Sequence, residues 1–77
     1  MGKKLSTYYS DQIEGQYCEV HVDYKDERFY IKYFDELGNL MQKELFPSNS
    51  LRYVEDAAEN WALGLKKLTG DIQLGLL

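Results

Sequence analysis

The chain has few of the residues on which most enzymes and secreted domains depend. Its 77 residues include one cysteine, one histidine and one proline. The single cysteine, Cys18, cannot form an intramolecular disulfide, and a small secreted domain without a disulfide would be atypical. A single histidine, His21, restricts every catalytic triad and general-base scheme to that one side chain. We therefore expect a cytoplasmic protein that folds without disulfides.

Long apolar runs, phosphate-binding glycine loops and an excess of positive charge are also lacking. No apolar run approaches the roughly 18 residues that a membrane span needs, so no membrane association is expected. The glycines do not have the spacing of a P-loop or a dinucleotide fingerprint. The formal net charge is −4 and the isoelectric point is about 4.8. Because this charge repels a phosphate backbone on average, nucleic acid is an unfavoured partner.

What remains is the composition of one small globular domain. Hydrophobic residues make up 44% of the chain and charged residues 29%, values that argue against disorder. Residues 1–77 are expected to form a single domain, with residues 1–12 and 70–77 peripheral or flexible. Aromatic residues make up 14%, and seven of them are tyrosines, whose apolar ring and polar hydroxyl suit half-exposed positions.

The segment from Leu51 to Leu68 is strongly amphipathic. At 100° per residue, its apolar residues fall on one stripe with Trp61 at the centre and small residues beside it. The stripe consists of Leu51, Val54, Ala57, Ala58, Trp61, Ala62, Leu65 and Leu68. Ser50 is placed to cap the start, Gly70 to end the helix in the left-handed conformation, and Gly64 to allow close packing. The pattern predicts a helix that lies on a sheet.

Three segments before Pro47 alternate apolar and polar residues with the period expected for half-buried strands. They are residues 17–24, 28–34 and 40–46, and the segments between them are short enough for hairpin loops. Short loops make consecutive strands antiparallel neighbours. Residues 5–10 are left open as a further strand. We predict an α+β fold: an antiparallel β-meander of three or four strands with one C-terminal amphipathic helix packed on one face.

One helix covers only one face of such a sheet. The face with Val20, Val22, Phe29 and Ile31 is the predicted bed for Trp61. The opposite face then presents aromatic and charged side chains together, and so many exposed rings on one face suggest a contact surface. We predict an interaction surface that consists of Tyr17, His21, Tyr30, Lys32 and Phe34, together with Leu63 on the polar side of the helix.

Catalytic and metal-binding interpretations have little support. Cys18 and His21 are three residues apart on one predicted strand, so their side chains lie on opposite faces and cannot form a nucleophile–base pair. Cys18 is then a small buried hydrophobic residue. Glu19, His21 and Asp23 share a face, but a row on one strand rarely closes a coordination shell. The sequence therefore predicts no catalytic residue, no cofactor and no metal, and a protein that is not an enzyme.

Residues 53–61, with the sequence YVEDAAENW, follow a tyrosine-rich meander that ends in Phe46-Pro47. In this respect the chain resembles short uncharacterised proteins of tailed bacteriophages, particularly those that infect cyanobacteria. The resemblance includes no known functional motif. It implies an accessory protein, encoded by a phage and located in the host cytoplasm.

The predicted function is a small non-enzymatic protein-interaction module. A domain of this size with one covered face buries little area, and dimerisation hides more of its aromatic surface. Self-association as a homodimer is therefore expected, through the uncovered aromatic face or the apolar tail at residues 72–77. Two alternatives stay open: an acidic inhibitor or nucleic-acid mimic that binds a basic site on a host protein, and a nucleic-acid-binding accessory protein.

Overall fold

The computed structural model describes residues 2–65, and over these residues four strands are followed by one helix. The elements are β1 (Gly2–Tyr9), β2 (Tyr17–Asp23), β3 (Arg28–Phe34), β4 (Leu40–Phe46) and α1 (Leu51–Ala62). The strands form one antiparallel sheet in the order β1-β2-β3-β4. The predicted α+β fold, a meander with one C-terminal helix, is confirmed. The segment left open at residues 5–10 is a fourth strand, and it begins earlier than expected.

Turn and cap residues explain where the elements begin and end. The Asp35 side chain accepts the backbone N–H of Asn39 at 2.8 Å, and this hydrogen bond is the main cause that lowers the pKa of Asp35. Gly38 in the same loop has a φ of +85°, a conformation that suits glycine in the tight turn between β3 and β4. Ser50 is the N-cap of α1, as predicted. Its Oγ accepts the backbone N–H of Tyr53 at 3.2 Å.

The hydrophobic core lies between α1 and one face of the sheet, to which β4 contributes Phe46 at its end. Its buried residues are Cys18, Val20, Ile31, Tyr33, Phe46, Val54, Ala58, Trp61 and Ala62. Trp61 packs edge-on against Tyr33 with ring centroids 5.2 Å apart, and the small side chains of Ala58 and Ala62 keep the helix close to the sheet. Cys18 is fully buried, with Sγ 4.0 Å from the carbonyl oxygen of Ala58. Its predicted role as a buried hydrophobic residue is confirmed.

The helix ends earlier than its amphipathic pattern predicts. The pattern extends to Leu68 with Gly70 as the stop, whereas the last helical residue is Ala62. The prediction was wrong at this end, because Gly64 is not a packing position inside the helix but a residue that follows it. Residues 66–77, with the predicted stop and the apolar tail, lie outside the described residues.

A Schellman motif explains the early end of α1. The N–H of Gly64 donates to the carbonyl oxygen of Trp61 at 3.0 Å, and the N–H of Leu65 donates to that of Asn60 at 2.8 Å. Gly64 has a φ of +84°, a conformation that glycine adopts without steric cost. A methyl group there would also approach the Gln12 side chain to 2.7 Å. The backbone conformation at Gly64 thus ends the helix, although the apolar periodicity of the sequence continues beyond this residue.

Three hydroxyl–carboxylate hydrogen bonds connect the outer strands to the rest of the domain. Glu55 of α1 accepts hydrogen bonds from Ser6 Oγ at 2.6 Å and from the Tyr8 hydroxyl, both on β1. The bond to Glu55, with a further contribution from burial, raises the pKa of Tyr8 to about 12. The buried Tyr33 hydroxyl donates to Glu44 of β4 at 2.8 Å, and burial is the main reason that the pKa of Tyr33 is raised.

Candidate interaction surface

The face of the sheet opposite α1, here called the open face, carries three rows of side chains that run across all four strands. Residues paired directly across antiparallel strands lie side by side on one face. The aromatic row consists of Tyr9, Tyr17, Phe34 and Leu40; the charged row of Thr7, Glu19, Lys32 and Lys43; and the mixed row of Lys4, His21, Tyr30 and Leu45.

The aromatic row is a set of adjoining rings that ends in a leucine. The Tyr17 and Phe34 rings are stacked, with centroids 4.9 Å apart and planes 17° apart. Tyr9 adds a tilted ring whose centroid lies 6.0 Å from that of Tyr17. The outer members of the row are the exposed ones, with Tyr9 70% and Leu40 54% accessible to solvent. Contiguous apolar area of this kind is typical of a contact surface.

The mixed row is organised around the ring of Tyr30. The His21 ring stacks on it with centroids 5.0 Å apart and planes 8° apart. From β4, Lys43 Nζ lies 4.5 Å from the Tyr30 centroid, and Lys32 Nζ lies 5.9 Å from it, both within cation–π range. The Tyr30 ring therefore contacts both the imidazole of His21 and the ammonium groups of two lysines.

The charged row changes sign along its length. Glu19 Oε1 on β2 lies 2.9 Å from His21 Nε2, and Glu19 Oε2 lies 4.0 Å from Lys4 Nζ on β1. Lys32 on β3 and Lys43 on β4 are direct cross-strand neighbours. The centre of the open face is thus negative on β2 and positive on β3 and β4.

The structure brings five of the six predicted interface residues together. Tyr17, His21, Tyr30, Lys32 and Phe34 all lie on the open face. Leu63 lies apart from them. It is the C-cap of α1, which packs on the other side of the sheet, and its carbonyl oxygen accepts Gln12 Nε2 at 3.4 Å.

Several residues of the open face were missed by reasoning from the sequence, and all belong to the two edge strands. They are Lys4, Thr7 and Tyr9 on β1, and Leu40, Lys43 and Leu45 on β4. The sequence left the existence of β1 and the alternation of β4 uncertain, so these residues could not be assigned to a face. The one available signal was the alternation of Lys43 and Leu45 with their neighbours.

The residues considered for catalysis and metal binding lie on both faces of the sheet. Cys18 is buried beneath α1, whereas His21 stacks on Tyr30 on the open face, so the two are separated by the sheet as predicted. Glu19 and His21 interact with each other through a hydrogen bond. Within residues 2–65, no group of three or more His, Cys, Asp or Glu side chains could hold a metal ion.

Comparisons with protein-family models, with curated proteins and with solved structures found no match. The resemblance to phage proteins therefore stays a prediction. In the part of the chain that the structure describes, α1 is too short and too polar to cross a membrane, and no other helix is present that could do so. Function has to be inferred from the chemistry of the open face.

Proposed function

We propose that this protein is a small non-enzymatic interaction module that self-associates through the open face. The supporting observation is the composition of that face. A sheet with one face in water normally carries polar residues there, yet this one carries the aromatic row and the rings of the mixed row. Tyr9, Leu40 and Leu45 are 70%, 54% and 66% exposed, and a second copy would remove this apolar area from water.

The dimensions of the open face suit a weak dimer. Four strands about 4.8 Å apart and about 3.3 Å per residue along each strand give a projected area of about 450 Å² per copy. Two copies then bury about 900 Å², which is below the area of stable complexes and within the range of transient ones. We therefore expect a dissociation constant in the micromolar range.

Substituting Tyr30 with glutamate is expected to weaken self-association at least about tenfold, which corresponds to about 1.4 kcal/mol. The Tyr30 ring contacts both His21 and Lys43, so its loss removes the stacking at the centre of the mixed row. The introduced carboxylate also has to be desolvated in the contact. Sedimentation equilibrium of the variant and the wild type measures the change, with circular dichroism to verify that the fold is retained.

Tyr53→Glu provides a matched control, because the same side-chain change is made away from the open face. Tyr53 lies on α1 and is 56% exposed. Its substitution should leave the dissociation constant of the dimer unchanged. Equal weakening by both substitutions, or no weakening by Tyr30→Glu, would show that self-association does not use the open face.

One observation favours nucleic-acid binding as a second candidate function. Lys4, Lys32 and Lys43 lie on the open face beside stacked rings, a combination that single-stranded nucleic acids recognise. Glu19 in the centre of the same face and a net charge of −4 oppose it. Because the two functions would use the same surface, a single-stranded oligonucleotide that binds at low salt would also dissociate the dimer.

We also propose where this module acts. The resemblance to tailed-phage proteins supports an accessory, phage-encoded role in the host cytoplasm. The single cysteine is buried, and a chain with one cysteine forms no intramolecular disulfide, which is compatible with a reducing compartment.

A further inference from the structure

The open face is self-complementary about the line between β2 and β3. In each row, the side chain on β3 is chemically complementary to the side chain on β2. The pairs are Tyr17 with Phe34, Glu19 with Lys32, and His21 with Tyr30. At the end of the same strands, Asp23 pairs with Arg28, so that this pattern extends over the full length of β2 and β3.

We infer that two copies pack face to face about a two-fold axis that runs parallel to the strands, above the line between β2 and β3. This inference rests on the proposed self-association and specifies its geometry. Such an axis exchanges β2 and β3 but leaves positions along the strands unchanged. Each residue of β2 therefore faces the residue of the second copy that corresponds to its own cross-strand partner on β3.

This axis places opposite charges of the charged row against each other. Glu19 of each copy faces Lys32 of the other, which gives two symmetry-related ion pairs at the centre of the contact. Face-to-face sheets lie about 10 Å apart, a gap that one glutamate and one lysine side chain span together. The aromatic row of each copy faces the aromatic row of the other, with Tyr17 opposite Phe34 near the axis.

The other simple arrangement is disfavoured by the same row. A two-fold axis perpendicular to the strands would place each residue of the charged row against its own copy, so that Glu19 would face Glu19 and Lys32 would face Lys32. Like charges held in contact strongly disfavour a complex. Because ion pairs at an interface lose most of their attraction to desolvation, the rings supply the affinity and the charged row selects the orientation.

Charge exchange at the central pair tests the axis. Glu19→Lys and Lys32→Glu each place like charges opposite each other in the inferred homodimer, so each variant alone should bind itself at least about tenfold more weakly than the wild type. When the two variants are mixed in equal amounts, every glutamate of one faces a lysine of the other. The mixture should form a heterodimer with near wild-type affinity, and the double variant Glu19→Lys/Lys32→Glu should form a homodimer again.

The measurement is native mass spectrometry together with sedimentation equilibrium of each variant and of the mixture. Glu14→Lys and Lys25→Glu, at exposed positions in loops, make the same charge changes outside the open face and should leave the dimer unchanged. Circular dichroism verifies that every variant is folded.

The outcomes separate the geometry from the function on which it rests. Recovery of the dimer in the mixture and in the double variant supports the inferred axis. If the wild type dimerises and the single variants dimerise equally well, the axis is overturned and self-association stands. The same conclusion follows if the wild type dimerises but the mixture of the two variants does not regain the dimer. A wild type that stays monomeric overturns both.

Discussion

Replacing Trp61 with alanine is expected to lower the free energy of unfolding by about 3–5 kcal/mol. Trp61 is only 7% exposed, and its ring packs edge-on against Tyr33, which is fully buried. The alanines beside it, Ala58 and Ala62, are too small to fill the cavity. Because domains of this length have a total stability of roughly 4–12 kcal/mol, the substitution should remove much of it.

Urea unfolding followed by circular dichroism measures this loss, since the variant has no tryptophan to report by fluorescence. Leu65→Ala is the matched control, because Leu65 belongs to the same apolar stripe in the sequence but is 76% exposed beyond the end of α1. It should change the stability by less than about 0.5 kcal/mol. Similar losses in the two variants would contradict the packing described for the helix.

Glu55→Ala is expected to cost about 2 kcal/mol. Glu55 accepts hydrogen bonds from the hydroxyls of Ser6 and Tyr8, and hydrogen bonds to a charged group contribute about 1.5–3 kcal/mol when buried. The site is only half-buried, so the sum is reduced by solvent. Glu59→Ala, an exposed position one turn later on α1, should have little effect. Urea unfolding of both variants at neutral pH decides the matter, and equal stabilities would contradict the connection between β1 and α1.

The same contact makes stability depend on pH at the alkaline end. The pKa of Tyr8 is raised to about 12 in the folded protein from an ordinary value of 10.0. Between pH 10 and pH 12 the folded protein therefore keeps the Tyr8 hydroxyl proton that the unfolded chain loses. The stabilisation is complete below pH 10 and is lost as the pH rises through about 12. In Glu55→Ala the main cause of the shift is gone, and the ultraviolet absorbance of tyrosinate should develop at lower pH than in the wild type.

The strands of the meander and the start of the helix were predictable because their residues satisfy both local and tertiary requirements. β2 and β3 alternate apolar and polar side chains, and Gly38 and Ser50 have the chemistry that their turn and cap need. β1 was left open because its inward positions, Ser6 and Tyr8, are polar. Their partner is the carboxylate of Glu55, which an apolar periodicity cannot reveal.

The candidate site was predictable only at its centre. The face that β2 and β3 present follows from alternation alone, so Tyr17, His21, Tyr30, Lys32 and Phe34 were grouped correctly on one side of the sheet. The contributions of β1 and β4 depend on cross-strand register, and both edge pairings contain an irregularity that shifts it. A pattern along one strand carries no information about such a shift.

Light scattering behind size exclusion, over a series of protein concentrations, measures self-association directly. Self-association through the open face predicts a mass that rises from 9.0 kDa towards about twice that value as the concentration passes through the micromolar range. A mass of 9.0 kDa at every concentration would contradict self-association through the open face.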